Sequence, residues 1–173
     1  MKTFFQIEII EIFAQNMRLK KEMLNITKSN ILTGDKMALE GPERIDEFMS
    51  EAKVFFLATV DGDKPKNRPL GFHLLKDGKL YFGVGDFKDV YKQMQENPYV
   101  EIVALVETDF LRYYGKAVFE EDYALSDSIV AGNEFLQGIY NDETGFKLAI
   151  FHLEEATAEI RDITGKINES YNF

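Results

Sequence analysis

Residues 54–99 read VFFLATVDGDKPKNRPLGFHLLKDGKLYFGVGDFKDVYKQMQENPY, and the spacing of apolar positions within them decides the fold. Apolar and polar residues alternate, Asp-Gly occurs at 61–62 and again at 77–78, and the stretch closes on a helical pattern. Alternation with period two marks strands that bury one face, and Asp-Gly supplies the positive φ that tight hairpins need. Strands are therefore expected at 54–60, 66–75 and 79–84, the third ending at Gly85. Asp86 is expected to cap a helix whose Phe87, Val90, Tyr91 and Met94 form one stripe, stopped at Asn97-Pro98.

The pattern extends in both directions. Upstream, Pro42 suits a first helical position, and Ile45, Phe48, Met49 and Ala52 share one face of a helix over 42–51. Downstream, strands at 100–106 and 110–119 flank the polar turn Glu107-Thr108-Asp109. Helical stretches follow at 122–132 and 134–140, and the chain returns to extended structure at 146–153 and 157–160. Short strands, meander connections and small helices argue for an antiparallel barrel, closed so that no edge strand is left open. Residues 1–40 carry Glu8 and Glu11 inside their apolar stretch and turn polar after Asn25. They are read as an N-terminal appendage, weakly ordered or helical, with the domain at 41–173.

Composition narrows the function classes. The chain has 173 residues, 45% of them hydrophobic, and 20 Lys plus Arg against 30 Asp plus Glu give a net charge of −10. Such a surface repels nucleic acid and anionic membrane, so a phosphate-bearing ligand needs a local basic cluster. With no cysteine, thiol catalysis, disulfides and thiolate metal sites are excluded. No apolar run is long enough to span a bilayer, and the start makes a poor signal peptide. A cytoplasmic protein with no nucleic-acid and no membrane partner is the expectation. His73 and His152 make no recognisable metal spacing, and the pairs Glu120-Glu121 and Glu154-Glu155 read as solvated surface.

The first candidate site is the strand-to-helix junction FGVGDFKDV at 82–90. Gly83 and Gly85 allow close backbone approach, and the helix start offers unpaired N–H groups to a phosphate with Lys88 beside them. An ordinary capped helix fits the same residues, and the Asp86 carboxylate would compete for those N–H groups. Arg68 adds to the case: with Leu70, Phe72 and Leu74 on the same alternating face, a guanidinium calls for an anion. It could equally reach water from near the strand's start, and Pro65 and Pro69 suit an edge or barrel rim.

FFLATVDGDKPKNRP, KLYFGVGDFKDVYKQMQENPYVEI and LRYYGKAVFEED together resemble the FMN-binding split barrel of the pyridoxamine 5'-phosphate oxidase-like family, in order and spacing over residues 48–160. The resemblance implies a mainly β fold with small helices, an antiparallel split β-barrel that forms a homodimer with FMN in a cleft between subunits. It implies that Arg68 and Lys88 hold the phosphate and that Tyr81, Phe82 and Gly83 run along the flavin through backbone groups. It also implies that Arg112 completes the neighbouring subunit's cleft, although a surface salt bridge explains Arg112 as well. Phe87 stands where the family often has a Ser or Thr hydroxyl, which removes one phosphate contact. The ending GKINESYNF departs from the Arg- and Trp-rich segment of true pyridoxamine phosphate oxidases, an argument against that reaction.

Three functions follow from the resemblance. The first is an FMN-dependent oxidoreductase passing electrons from a nicotinamide nucleotide to a small acceptor, with His73 as a candidate catalytic contact. On its own residues His73 is equally a polar residue on a barrel strand. The second is a flavin-binding or sensing module without rapid turnover, and the third a split barrel that holds deazaflavin or haem.

Overall fold

The computed structural model describes residues 41–173, and the expectation for residues 1–40 lies outside the described residues. The elements run α1 (Gly41–Ala52), β1 (Phe55–Asp61), β2 (Lys64–Leu70), β3 (His73–Lys76), β4 (Lys79–Gly85), α2 (Asp89–Glu96), β5 (Tyr99–Val106) and β6 (Asp109–Phe119). After them come α3 (Ala124–Ala131), α4 (Glu134–Ile139), β7 (Leu148–Asp162) and β8 (Ile167–Asn172).

The hairpins form where the turn chemistry puts them. Asp61 pairs with Lys64 across a two-residue loop in which Gly62 takes φ +63°. Lys76 pairs with Lys79 across Asp77 and Gly78, both at positive φ (51° and 74°), the combination whose twist matches antiparallel strands. Glu107, at φ 51°, turns β5 into β6.

The strands form one antiparallel sheet in the order β2-β1-β5-β6-β7-β4-β3, with β8 added to β7. Its two ends, β2 and β3, are consecutive in the chain and separated only by Gly71 and Phe72. A sheet whose first and last strands are joined by so short a link must curl back on itself. Among the described residues no backbone pairing closes the seam between those strands, so the barrel is split rather than continuous. Phe55, Leu57, Phe82, Ile102, Leu111 and Phe151 fill the interior. Helix α1 packs on β3 and β5 and adds Ile45 and Met49, while α2 packs on β1 and β4 and adds Val90 and Met94. The result is a mixed α/β fold dominated by antiparallel sheet.

Several elements differ from the sequence reading. The strand expected over 66–75 is two strands, because the chain changes partner: Leu70 ends the pairing with β1, and His73 begins the pairing with β4. Phe72 and Leu74 therefore do not continue the face that carries Arg68. The extended pieces at 146–153 and 157–160 are one strand, β7, whose register against β6 shifts between Tyr114 and Lys116. Glu155 takes φ 48° there. Gly115 lies so close that a Cβ on it would stand 2.8 Å from both the Ala156 Cβ and the Glu154 carbonyl oxygen.

Strand β8 was not anticipated. It is fixed to α1 by Arg44, whose Nε and Nη2 donate to the Glu169 carboxylate at 3.0–3.2 Å. Burial pushes the Glu169 carboxyl up, but hydrogen bonds from Arg44 and Tyr171 outweigh it and hold the group below its ordinary value. A carboxyl with a depressed folded pKa contributes stability above its unfolded value, here 4.5, and loses it as the pH falls through the folded value. Both partners are partly solvated, so Glu169→Gln should cost about 0.5–1 kcal/mol at pH 7. The deficit should shrink as the pH drops below 4.5; urea unfolding at the two pH values measures it, and a pH-independent deficit would contradict the clamp.

Candidate functional site

Both candidate phosphate-binding cations touch on α2, Lys88 at its start and Arg68 through Gln93. Lys88 is the N-cap, with extended backbone (φ −86°, ψ 147°) and no side-chain cap. Its amide donates to the Gly85 carbonyl at 3.1 Å, which sets the turn from β4 into the helix. Asp86 does not cap α2 as the sequence suggested. Its carboxylate accepts from the Lys147 amide at 3.0 Å, and its own amide donates to the Lys147 carbonyl at 3.0 Å. With that carboxylate engaged elsewhere, it does not compete for the first-turn N–H groups of the helix.

Arg68 reaches α2 from β2. Its Nη1 donates to the Leu57 carbonyl at 3.1 Å and to Thr59 Oγ1 at 2.6 Å, and its Nη2 donates to Gln93 Oε1 at 2.8 Å. Thr59 in turn donates to the same Gln93 oxygen at 2.7 Å, and both Thr59 and Gln93 are buried. All of these acceptors are neutral. Burial pushes the guanidinium below its ordinary pKa, and among the described residues neither Arg68 nor Lys88 has a carboxylate in ion-pair range. Lys88 precedes the helix and Gln93 is its fifth residue, about 7.5 Å further along the axis, so the two cations are spaced along one short helix. A partly buried cation without a counter-charge is costly unless an anion arrives.

The remaining candidates separate by geometry. Phe82 is fully buried, packed edge-on to Phe55 at 5.8 Å and tilted against Phe151 at 5.5 Å, so its side chain belongs to the core. Tyr81 and Phe82 are paired on both sides, to β3 and to β7. From Gly83 to Gly85, β4 is paired on the β7 side alone, which leaves that short segment as the part of the strand with an open edge toward the rim. Phe87 precedes α2 instead of lying on its stripe, and stacks on Phe146 with ring centroids 4.1 Å apart. The Lys88 ammonium lies 5.8 Å from the Phe87 ring.

Arg112 projects from the outer face of β6, on a cross-strand row with Val103 and Phe56. It is held by Glu101 on β5, with Nη2 to Oε2 at 3.0 Å, and its guanidinium stands 5.7 Å from the Tyr114 ring. His73 is buried beneath α1, its Nε2 3.2 Å from Asp46 Oδ1 and 3.3 Å from Ser50 Oγ, with Phe55 edge-on at 5.8 Å. Arg68 thus bonds to the second half of α2 and Lys88 precedes its first turn, while His73 lies under α1 and Arg112 on the outer face of β6. Thr59 and Gln93, which fix the guanidinium, were missed. Their signal was two polar residues in apolar patterns, one within VFFLATV and one on the buried stripe of α2.

The strand order and the open seam between β2 and β3 define a split antiparallel barrel. The profile of the pyridoxamine 5'-phosphate oxidase family matches residues 42–157, and the chain belongs to the pyridoxamine 5'-phosphate oxidase-like family of FMN-binding split barrels. Among solved structures it is similar to a NimC/NimA family protein from Clostridium acetobutylicum, with TM-score 0.67 and 28% identity over 78% of this chain and 95% of that one. General Stress Protein 26 from Bacillus anthracis shares the fold at TM-score 0.58 and 18% identity, covering 78% of this chain and 100% of that one. A pyridoxamine 5'-phosphate oxidase-related, FMN binding protein from Nostoc punctiforme does so at TM-score 0.50 and 15% identity, covering 81% and 99%. No curated protein matches. No helix among the described residues is long and apolar enough to cross a membrane.

Proposed function

We propose that this chain binds FMN with its phosphate on Arg68 and Lys88 and acts as an oxidoreductase between a nicotinamide donor and a small acceptor. One observation carries the reading: a partly buried guanidinium, fixed by Thr59 and Gln93, that meets only neutral acceptors among the described residues. A phosphate supplies the missing charge and two or three acceptor oxygens, and charge-assisted bonds of this kind are the strong ones. The first-turn amides of α2 add a favourable dipole at the same place.

When bound, FMN supplies the redox chemistry, exchanging two electrons with donor and acceptor. The chain's own residues have simpler tasks. Arg68 and Lys88 anchor the phosphate end, and the open edge of β4 at 83–85 offers backbone groups to the rest of the molecule. Phe87, stacked on Phe146, walls the phosphate end where a hydroxyl would otherwise reach in. With its ring held under α1 by Asp46 and Ser50, His73 serves the fold in this reading rather than the acceptor.

The cleft is completed by a second copy. Phe56 and Leu105 are exposed on the outer face of β1 and β5, 47% and 61% accessible, in line with the Arg112 row. An apolar face of this kind suits an isologous contact. Arg112 then stands at the interface, already oriented by Glu101. Anaerobic NADH or NADPH should bleach the flavin band of the reconstituted protein, and sedimentation should give a dimer. Failure of either nucleotide to reduce bound flavin would favour a binding module without turnover, and a monomer that still binds FMN tightly would remove Arg112 from the site.

A further inference from the structure

Strand β7 has two neighbours on one edge, and they do not meet. β4 pairs with it up to His152, and β8 pairs with it from Thr157, with Phe173 extending that pairing to Ala156. Residues 153–155, which include the bulge, lie between them. This gap opens on a cavity of about 370 Å³ walled by Pro42, Leu80, Leu153 and Phe173, a volume at the small end of ligand sites.

Tyr113 is one of the two buried polar residues on the cavity wall, with His152. It is only 3% exposed, its ring held edge-on to Phe173 at 5.7 Å, and it lines the cavity. Among the described residues no group hydrogen-bonds its hydroxyl, which leaves that oxygen open to whatever enters the cavity. Burial pushes the phenol well up, so the group remains a neutral hydroxyl able to donate and accept. The mouth is acidic: Glu154 and Glu155 stand there against Lys79. His152, a buried lining residue, has Nδ1 2.7 Å from Glu120 and Nε2 3.4 Å from Glu154.

We propose that this cavity binds a small amine with an apolar body, the body packed on Leu80, Leu153 and Phe173, one hydrogen-bonding group on the Tyr113 hydroxyl, and the ammonium at the Glu154–Glu155 mouth. The site is separate from the Arg68 rim and does not rest on the flavin reading. A hydroxyl on the wall among Leu80, Leu153 and Phe173 selects a body with one donor or acceptor, and the neighbouring carboxylates repel anions.

Three indoles of differing charge test it on the full chain: tryptamine, indole and indole-3-acetate. The protein contains no tryptophan, so indole emission reports the probe alone. Tryptamine should bind saturably below about 1 mM, indole more weakly, and indole-3-acetate at least about tenfold more weakly than tryptamine. Tyr113→Phe, nearly isosteric, should weaken tryptamine about three- to tenfold. Glu154→Gln with Glu155→Gln should bring tryptamine and indole-3-acetate within about twofold of one another. Absence of saturable tryptamine binding, equal affinity in Tyr113→Phe, or indole-3-acetate binding as tightly as tryptamine in the parent protein would each overturn the proposal.

Discussion

Replacing Arg68 with methionine should weaken FMN binding about 30- to 100-fold while changing riboflavin affinity less than about threefold. The first figure follows from losing a charge-assisted contact to phosphate, worth about 2–3 kcal/mol, at about 1.4 kcal/mol per tenfold change. The second follows because riboflavin has no phosphate for the guanidinium to hold. Lys88→Met should act in the same direction by about tenfold, since a flexible exposed ammonium contributes less than a guanidinium already fixed by Thr59 and Gln93. The two losses should not add fully, because both side chains answer one dianion. Fluorescence titration with both flavins gives all of these numbers. Equal losses for FMN and riboflavin in either variant would place that side chain away from the phosphate.

The second large effect concerns stability. Gly115→Ala should lower it by about 2–3 kcal/mol, the upper part of the range for overpacking, or roughly 5–10 °C in Tm for a domain of this size. The added Cβ would meet backbone as well as side chain, at 2.8 Å from the Glu154 carbonyl oxygen and 2.9 Å from the Ala156 Cα. Those atoms sit in the bulge and cannot swing aside as a flexible side chain can. Gly138→Ala is the control, because nothing stands within 4 Å of its Cβ position and it lies in helix α4. There alanine should be neutral or slightly stabilising. A Gly115→Ala protein that melts with the parent would mean that β6 and β7 do not pair in this register.

These two sites also show what the sequence made legible. The hairpins at Asp61-Gly62 and Asp77-Gly78 were readable because a two-residue turn is a local matter of φ, settled by the residues in it. The break between β2 and β3 was not, because residues 71 and 72 mark a change of partner strand, which belongs to the sheet as a whole. Glu154-Glu155 looked like the end of a strand because two adjacent charges interrupt alternation. In the fold a bulge absorbs them, and its requirement appears on the opposite strand, at Gly115. INESYN escaped notice for a related reason: an edge strand that buries little has no apolar period to display.

The candidate site was half legible. Arg68 and Lys88 stood out as cations in an acidic chain, and the contact of Arg68 with Gln93 on α2 was not foreseen. Asp86 was misread because an aspartate before a helix has a plausible local role, while its actual partner, Lys147, lies 61 positions away. Gln93 and Thr59 were invisible as functional residues because their importance lies in one shared oxygen that positions a guanidinium across 25 residues of chain. The structure turns Tyr113 inward to the cavity and leaves Tyr114 outside, near Arg112.

The central claim is that the Arg68–Lys88 rim is a phosphate site for FMN. Its most direct test is a side-by-side titration of the full chain with FMN and riboflavin, followed by quenching of flavin fluorescence. The account predicts saturable quenching by one FMN per chain, with riboflavin at least about tenfold weaker. Absence of saturable FMN binding, or equal affinity for the two flavins, would contradict it.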